Sequence, residues 1–375
     1  MFSHRFGRRA ALCFGGASLV VACAAPAAAG RGAPAWGTSL PGGVPPGPVR
    51  ATRALVTDAD RAMGLEWRFD AGGTIHAPPA VGVDGSVYLG TADGYVVSLD
   101  TRGRVQWSFT LEGAIAWSPV VDQSGRIYVA TTAQRLCSFQ SNGALGWQTR
   151  TPAHVGTELV LASPSGVLFG GTDGNVWAYA EYGNPLWHAG VGPRITAGPR
   201  MFGKRAVVAS VDGTVLELEG AMRRRALRIE APCDSIVTAT SDGSMTVVAG
   251  GALLGVGPRG EVRFRRAGVI WAESLDDGFV AVEGDGVLTR LAGDGTLVSS
   301  ARIATEATAP PVVAPSGAIY VASASGALVI VGKGGAVRQI PIATAALHRP
   351  VLDLARRRVL VTAGSGIVAS VRLEE

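Results

Sequence analysis

The apolar residues of this chain are gathered into short stretches separated by turn residues and glycine. One unit reads Pro79-Ala-Val-Gly-Val-Asp-Gly-Ser-Val-Tyr-Leu-Gly90. It returns as Pro119-Val-Val-Asp-Gln-Ser-Gly-Arg-Ile-Tyr-Val-Ala130 and as Pro311-Val-Val-Ala-Pro-Ser-Gly-Ala-Ile-Tyr-Val-Ala322. Each is a short apolar strand, a turn ending in glycine and a second strand. Asp-Gly and Asn-Gly turns flanked by apolar runs are the strongest hairpin signal a sequence offers.

A second phrase follows each unit. It reads Leu99-Asp-Thr-Arg-Gly-Arg-Val-Gln-Trp107, then Phe139-Gln-Ser-Asn-Gly-Ala-Leu-Gly-Trp147, then Tyr179-Ala-Glu-Tyr-Gly-Asn-Pro-Leu-Trp187. Trp67, Trp107, Trp147 and Trp187 recur at an interval of 40 residues. The phrase then decays. Phe264 follows Gly260 in the tryptophan position, Ser299 follows Gly295, Gln339 follows Gly335, and near Gly220 the position is blurred across Arg224 to Leu227. One repeat holds four strands, A to D, joined by hairpins. Such a unit repeated many times predicts an all-β fold, an eight-bladed β-propeller of four-stranded antiparallel blades. The last unit, His348–Glu375, has no D strand, and Gly64–Phe69 is a D strand with no A, B or C strand before it. The N-terminal strand is therefore expected to complete the last blade and close the ring over residues 64–375.

The strand pair followed by Leu-Asp-x-x-x-Gly-x-x-x-Trp resembles the PQQ-like repeat, found in quinoprotein dehydrogenases and in their non-enzymatic relatives. The resemblance covers nearly the whole chain after the N-terminal region. It is specific in blades 1–3, moderate in blades 5 and 7, and poor in blades 4 and 6. It implies that Trp67, Trp107, Trp147 and Trp187, with Phe264, dock blade on blade. Size, anchor and blade number also resemble the accessory lipoproteins of outer-membrane protein assembly. Quinoprotein chemistry would further imply a carboxylate and amide cage for Ca²⁺, an Asp base, an aromatic floor and often a vicinal disulfide. The chain has no Cys-Cys pair, and Asp276-Asp277 and Glu283-Gly-Asp285 fall at hairpin turns. The reading is therefore of a non-enzymatic chain without cofactor or metal, the alternatives being a PQQ-dependent oxidoreductase or a ligand- or glycan-sensing propeller.

The N-terminus changes the picture of where the ring works. His4, Arg5, Arg8 and Arg9 precede the apolar run Ala10–Ala22, a charged start and a run too short to span a bilayer, as in a secretory signal. Val20-Val21-Ala22-Cys23 resembles a lipobox, with Cys23 as the lipidated residue; the alternative is ordinary cleavage after Ala27-Ala28-Ala29. Arg8-Arg9 also resembles a twin-arginine export signal. Residues 1–22 are read as the signal and residues 23–63, rich in Pro, Gly and Ala, as a flexible tether. The expected location is the cell envelope, lipid-anchored, at the outer membrane facing the periplasm rather than the inner membrane.

Charge excludes one class of partner. Removing Arg5, Arg8 and Arg9 with the leader leaves 31 basic against 29 acidic residues, a net charge of +2. That balance predicts no nucleic-acid partner. The 52 glycines and 21 prolines serve turns. Cys137 and Cys233 lie in repeats three apart and read as buried small apolar residues.

The histidines show no metal spacing, and the serines no nucleophile elbow. Two candidate binding surfaces remain. The A–B and C–D turns share one face of the disc and collect Arg223, Arg224, Arg225, Arg356, Arg357 and Arg358, an expected docking face for anionic lipid or an acidic partner, or else solvated turns. Trp117 and Trp271 fall at the entry to A strands, which line the central channel, and mark a candidate channel mouth. The functional expectation is a protein-interaction scaffold, monomeric within a complex of envelope proteins that include the barrel-assembly machinery, working by rigid display.

Overall fold

The computed structural model describes residues 52–54, 56–162, 166–303 and 305–374. These form eight antiparallel sheets in sequence order, seven of four strands and one of five. Blade 1 shows the plan: A is Ala80–Val81, B Val87–Gly90, C Tyr95–Leu99 and D Val105–Thr110. Blades 2 to 7 span residues 120–150, 160–190, 195–228, 233–267, 269–302 and 312–341.

Local chemistry explains the hairpins. In the C–D turn of blade 1, the Asp100 side chain accepts from the backbone N–H of Arg102 and Arg104. Gly103 donates to the Asp100 carbonyl at 3.0 Å and holds φ at 73°, a left-handed conformation that suits glycine. A bulge then inserts one residue between Val105 and Trp107 and re-aims the indole. The same shift recurs in the D strands of blades 2 to 6 and blade 8, but blade 7 pairs without it.

The core is divided among the seams. Each of the eight buried apolar clusters draws its residues from two neighbouring blades, as Tyr88, Val96 and Leu111 of blade 1 meet Ile127, Cys137 and Phe139 of blade 2. Fully burying a large apolar side chain in this way stabilises by roughly 1.5–3 kcal/mol. Cys137 and Cys233 are free and buried, and burial pushes both thiols up to about 12.

The expected closure is present. Blade 8 consists of Val351–Asp353, Arg358–Thr362 and Ile367–Arg372 from the C-terminus, with Leu65–Asp70 from the N-terminus as its D strand. Arg338 of blade 7 braces the closure on both sides, donating to the carbonyl of Met63, just before the D strand, at 3.2 Å and pairing with Glu374.

One expectation fails. The stretch read as tether through residue 63 is structured over its last part. Thr52–Ala54 pairs antiparallel with the outer edge of Leu65–Asp70 as a fifth strand. Asp58–Ala62 is a helix opened by a capping box between Thr57 and Asp60. A helix this short has no apolar period to read; Val56 and Met63 beside it pack on the core of blades 7 and 8. Cys23 and the signal lie outside the described residues.

Candidate functional site

The docking position changes in character around the ring. Trp67 is buried and donates from its indole to the Thr101 carbonyl of blade 1 at 3.0 Å. Trp107 donates to Ser141 of blade 2 at 2.8 Å, and Trp147 to Glu181 of blade 3 at 2.6 Å. Each ring lies over the glycine of that turn: a Cβ on Gly103, Gly143 or Gly183 would come within 2.6–2.7 Å of it. Trp187 packs with the core of blades 3 and 4, but its N–H reaches no turn carbonyl, and nothing lies within 4 Å of a Cβ at Gly220. Phe264 covers Gly295 of blade 6, whereas the turn glycine after Ser299, Gly335, is open.

The arginine face proves to be largely seam. By register Arg225 stands where blade 1 has Trp107, since Glu217 pairs with Arg225 as Ser98 pairs with Trp107. Its guanidinium donates to the carbonyls of Gly243 and, at 2.9 Å, Gly257 of blade 5. Arg225 is therefore a docking residue, not part of an exposed face. Arg358 is corrected in the same way. It is 2% exposed, pairs with Asp353 at 2.9 Å, and donates to Thr101 at 2.8 Å and Gly85 at 2.6 Å. Arg356 lies over Gly85 and donates to the Val83 carbonyl at 3.0 Å. Arg223 donates to the Gly190 carbonyl at 2.6 Å, and Arg224 pairs with Glu219 at 2.7 Å. Arg357 ends the 3₁₀ turn Leu354–Arg356 in a left-handed conformation with φ of 53°. Guanidinium forks matched to carbonyls across a seam act as struts.

The channel side differs between blades. The A strand has two residues in blades 1, 2, 3 and 7, but Ile195–Phe202, Cys233–Ala239 and Val269–Leu275 in blades 4, 5 and 6 run seven or eight. At their start lies a cavity of about 830 Å³ whose lining includes Thr172, Arg194, Thr196, Asp234, Ile270 and Trp271. Trp271 is half-buried and donates to the Ala307 carbonyl at 3.2 Å. Trp117 is not in that lining; it packs against the buried cluster between blades 2 and 3 that includes Tyr128 and Phe169. Farther along the same A strands Glu273 joins two arginines, Arg200 of blade 4 at 2.7 Å and Arg349 ahead of blade 8. Arg200 also donates to the Ile236 carbonyl at 2.7 Å. This clasp ties blades 4, 5, 6 and 8 together. No spacing in the sequence announces it.

The cavity carries one carboxylate, Asp234, and one guanidinium, Arg194. Among the described residues no three His, Cys, Asp or Glu side chains gather where they would hold a metal ion. That lining, with its single carboxylate, does not fit the calcium-bound quinone of the dehydrogenases, which requires several oxygen ligands. Among the described residues no helix is long and apolar enough to cross a membrane.

Fold and seams together define the class, an eight-bladed β-propeller of four-stranded antiparallel blades. Within it the chain is similar to a particular assembly factor: the family model described as "Outer membrane protein assembly factor BamB" matches residues 20–164. Among solved structures, BamB from Moraxella catarrhalis shares 17% identity with a TM-score of 0.52, covering 87% of this chain and 99% of its own. Sqt1 of Saccharomyces cerevisiae gives 13% identity and a TM-score of 0.69 over 83% of this chain and 100% of that one. The computationally designed Ika8 protein gives 14% and 0.68 over 83% and 98%. At these identities the likeness is one of fold. No curated protein matches the chain.

Proposed function

We propose that this chain is a lipid-anchored scaffold of the cell envelope that binds other proteins and assists outer-membrane protein assembly without chemistry of its own. The observation that carries the reading is the match of residues 20–164 to the assembly-factor family, with a BamB structure that the chain follows over nearly its full length. Physical features support the mode of action. Eight seam clusters and the Arg200–Glu273–Arg349 clasp hold the ring still, and rigid rings present loops and strand edges at little ordering cost. Anchoring through Cys23 at the outer membrane, facing the periplasm, belongs to the same proposal.

Affinity purification of the tagged full-length protein from mildly solubilised envelopes tests it. Stoichiometric recovery of the central barrel-assembly subunit, identified by mass spectrometry, is the expected result. Enrichment of an unrelated envelope protein in its place would retire the assembly role. An absorption band of bound quinone in the purified protein would overturn the non-enzymatic reading.

A further inference from the structure

Blade 8 shows what the outer edge of a D strand in this ring accepts. Thr52–Ala54 lies against Leu65–Asp70 in antiparallel register, with Thr52 opposite Asp70 and Ala54 opposite Arg68. Leu65, the first residue of that D strand, is 1% exposed, in a cluster against which Val56 and Met63 pack. Its counterpart by register in blade 6 is Leu297, which pairs with Leu291 as Leu65 pairs with Val371. Leu297 is 52% exposed and Val298 60%. The D edges of the other seven sheets carry no fifth strand among the described residues.

Those edges are not equivalent. Unpaired edges invite another strand, and proteins blunt them with charge and proline. Blade 4 carries Arg223, Arg224, Arg225 and Arg228 on its D strand, blade 5 carries Arg263, Arg265 and Arg266, and proline stands in those of blades 3 and 7. Leu297–Arg302 has one terminal charge and no proline. Blades 1 and 2 also have few charges, but there Trp107 and Trp147 fill the seam beside the edge. In blade 6 Ser299 replaces the aromatic, and Gly335 opposite is exposed with nothing within 4 Å of a Cβ. An open edge thus adjoins an empty aromatic socket.

We propose that the edge Leu297–Arg302 takes an extended strand from a partner polypeptide, with an aromatic side chain of that strand opposite Ser299 filling the socket over Gly335. Main-chain bonds would supply affinity and the socket selectivity. The inference deepens the scaffold reading and rests on it.

The probe is a fluorescein-labelled heptapeptide of alternating Thr and Val with Trp at its centre, titrated against the full chain by anisotropy, beside the same peptide with Ala for Trp. Saturable binding is expected, at least tenfold weaker for the Ala peptide. Val298→Asp should abolish binding, whereas Val262→Asp, at the equally exposed start of the blade 5 D strand, should leave it unchanged. Ser299→Trp, which fills the socket from within, should erase the preference for the Trp peptide. Circular dichroism confirms that each variant is folded. No saturable binding at millimolar peptide, or equal effects of Val298→Asp and Val262→Asp, would overturn the proposal. If the unaltered protein recovers the barrel-assembly subunit from envelopes but binds no peptide, only the blade 6 inference falls.

Discussion

From blade 8 to blade 3, three indoles donate to a carbonyl in the next blade's C–D turn and cover its glycine. From blade 3 onward no indole among the described residues does this. Trp187 packs without a turn partner, Arg225 substitutes a guanidinium, Phe264 covers Gly295 by contact alone, and Ser299 leaves Gly335 bare. The second half compensates on the channel side, where long A strands and the Arg200–Glu273–Arg349 clasp connect blades 4, 5, 6 and 8. The lesson is that this propeller needs a tie at each seam but not the same tie. A seam held from the channel leaves its outer rim available to a partner.

The comparison can be broken most forcefully at Trp67. Removing that buried ring and its bond should cost about 3–5 kcal/mol in chemical denaturation, whereas Trp187→Ala should cost about 2. Equal losses would mean that the docking bond contributes nothing. Arg358→Ala leaves the buried Asp353 only its longer pair with Arg356 at 3.4 Å and should cost about 3 kcal/mol, although the residue sits in a run that reads as surface. Two glycines with similar backbone sharpen the contrast. Gly335→Ala meets only the strain of a left-handed φ, about 1 kcal/mol, while Gly103→Ala also drives a Cβ into Trp67 and should cost at least twice that.

The smallest effect is on pH. His348 lies in the closing seam, where burial holds its imidazole below the ordinary histidine value; the bond to the Ile75 carbonyl opposes this, and His76 nearby adds to it. As pH falls below about 6.5, the unfolded chain takes up this proton first, so its contribution is full above that value and lost below it. His348→Gln should therefore flatten the decline in melting temperature between pH 7.5 and 5.5.

Much of this architecture was legible. A 40-residue interval of tryptophans, Asp-Gly turns and a D strand without its blade are enough to predict eight blades and their closure, because hairpin chemistry is local. The seams were less so. Arg225 stands five residues after Gly220, where Trp107, Trp147 and Trp187 stand four after their turn glycines, so the repeat spacing passes over it. Arg358 is buried by carbonyls of blade 1, 257 residues away in the chain for Thr101, which no local pattern reports. Lengthened A strands in blades 4 to 6 turn Trp271 into cavity lining, whereas Trp117 entered a core. Thr57 and Asp60 did carry a capping signal, but its helix is too short for periodicity to expose.

Hydrogen exchange of the free full-length protein, followed by mass spectrometry, tests the two-region account most directly. Strands Val105–Thr110 and Leu145–Arg150, locked by indoles, should exchange slowly, and Leu297–Arg302 should exchange at least tenfold faster while its A-strand neighbour Val269–Leu275 stays protected. Uniform protection across all D strands would contradict the account, since the blade 6 rim would then be as firmly held as the tryptophan-docked seams.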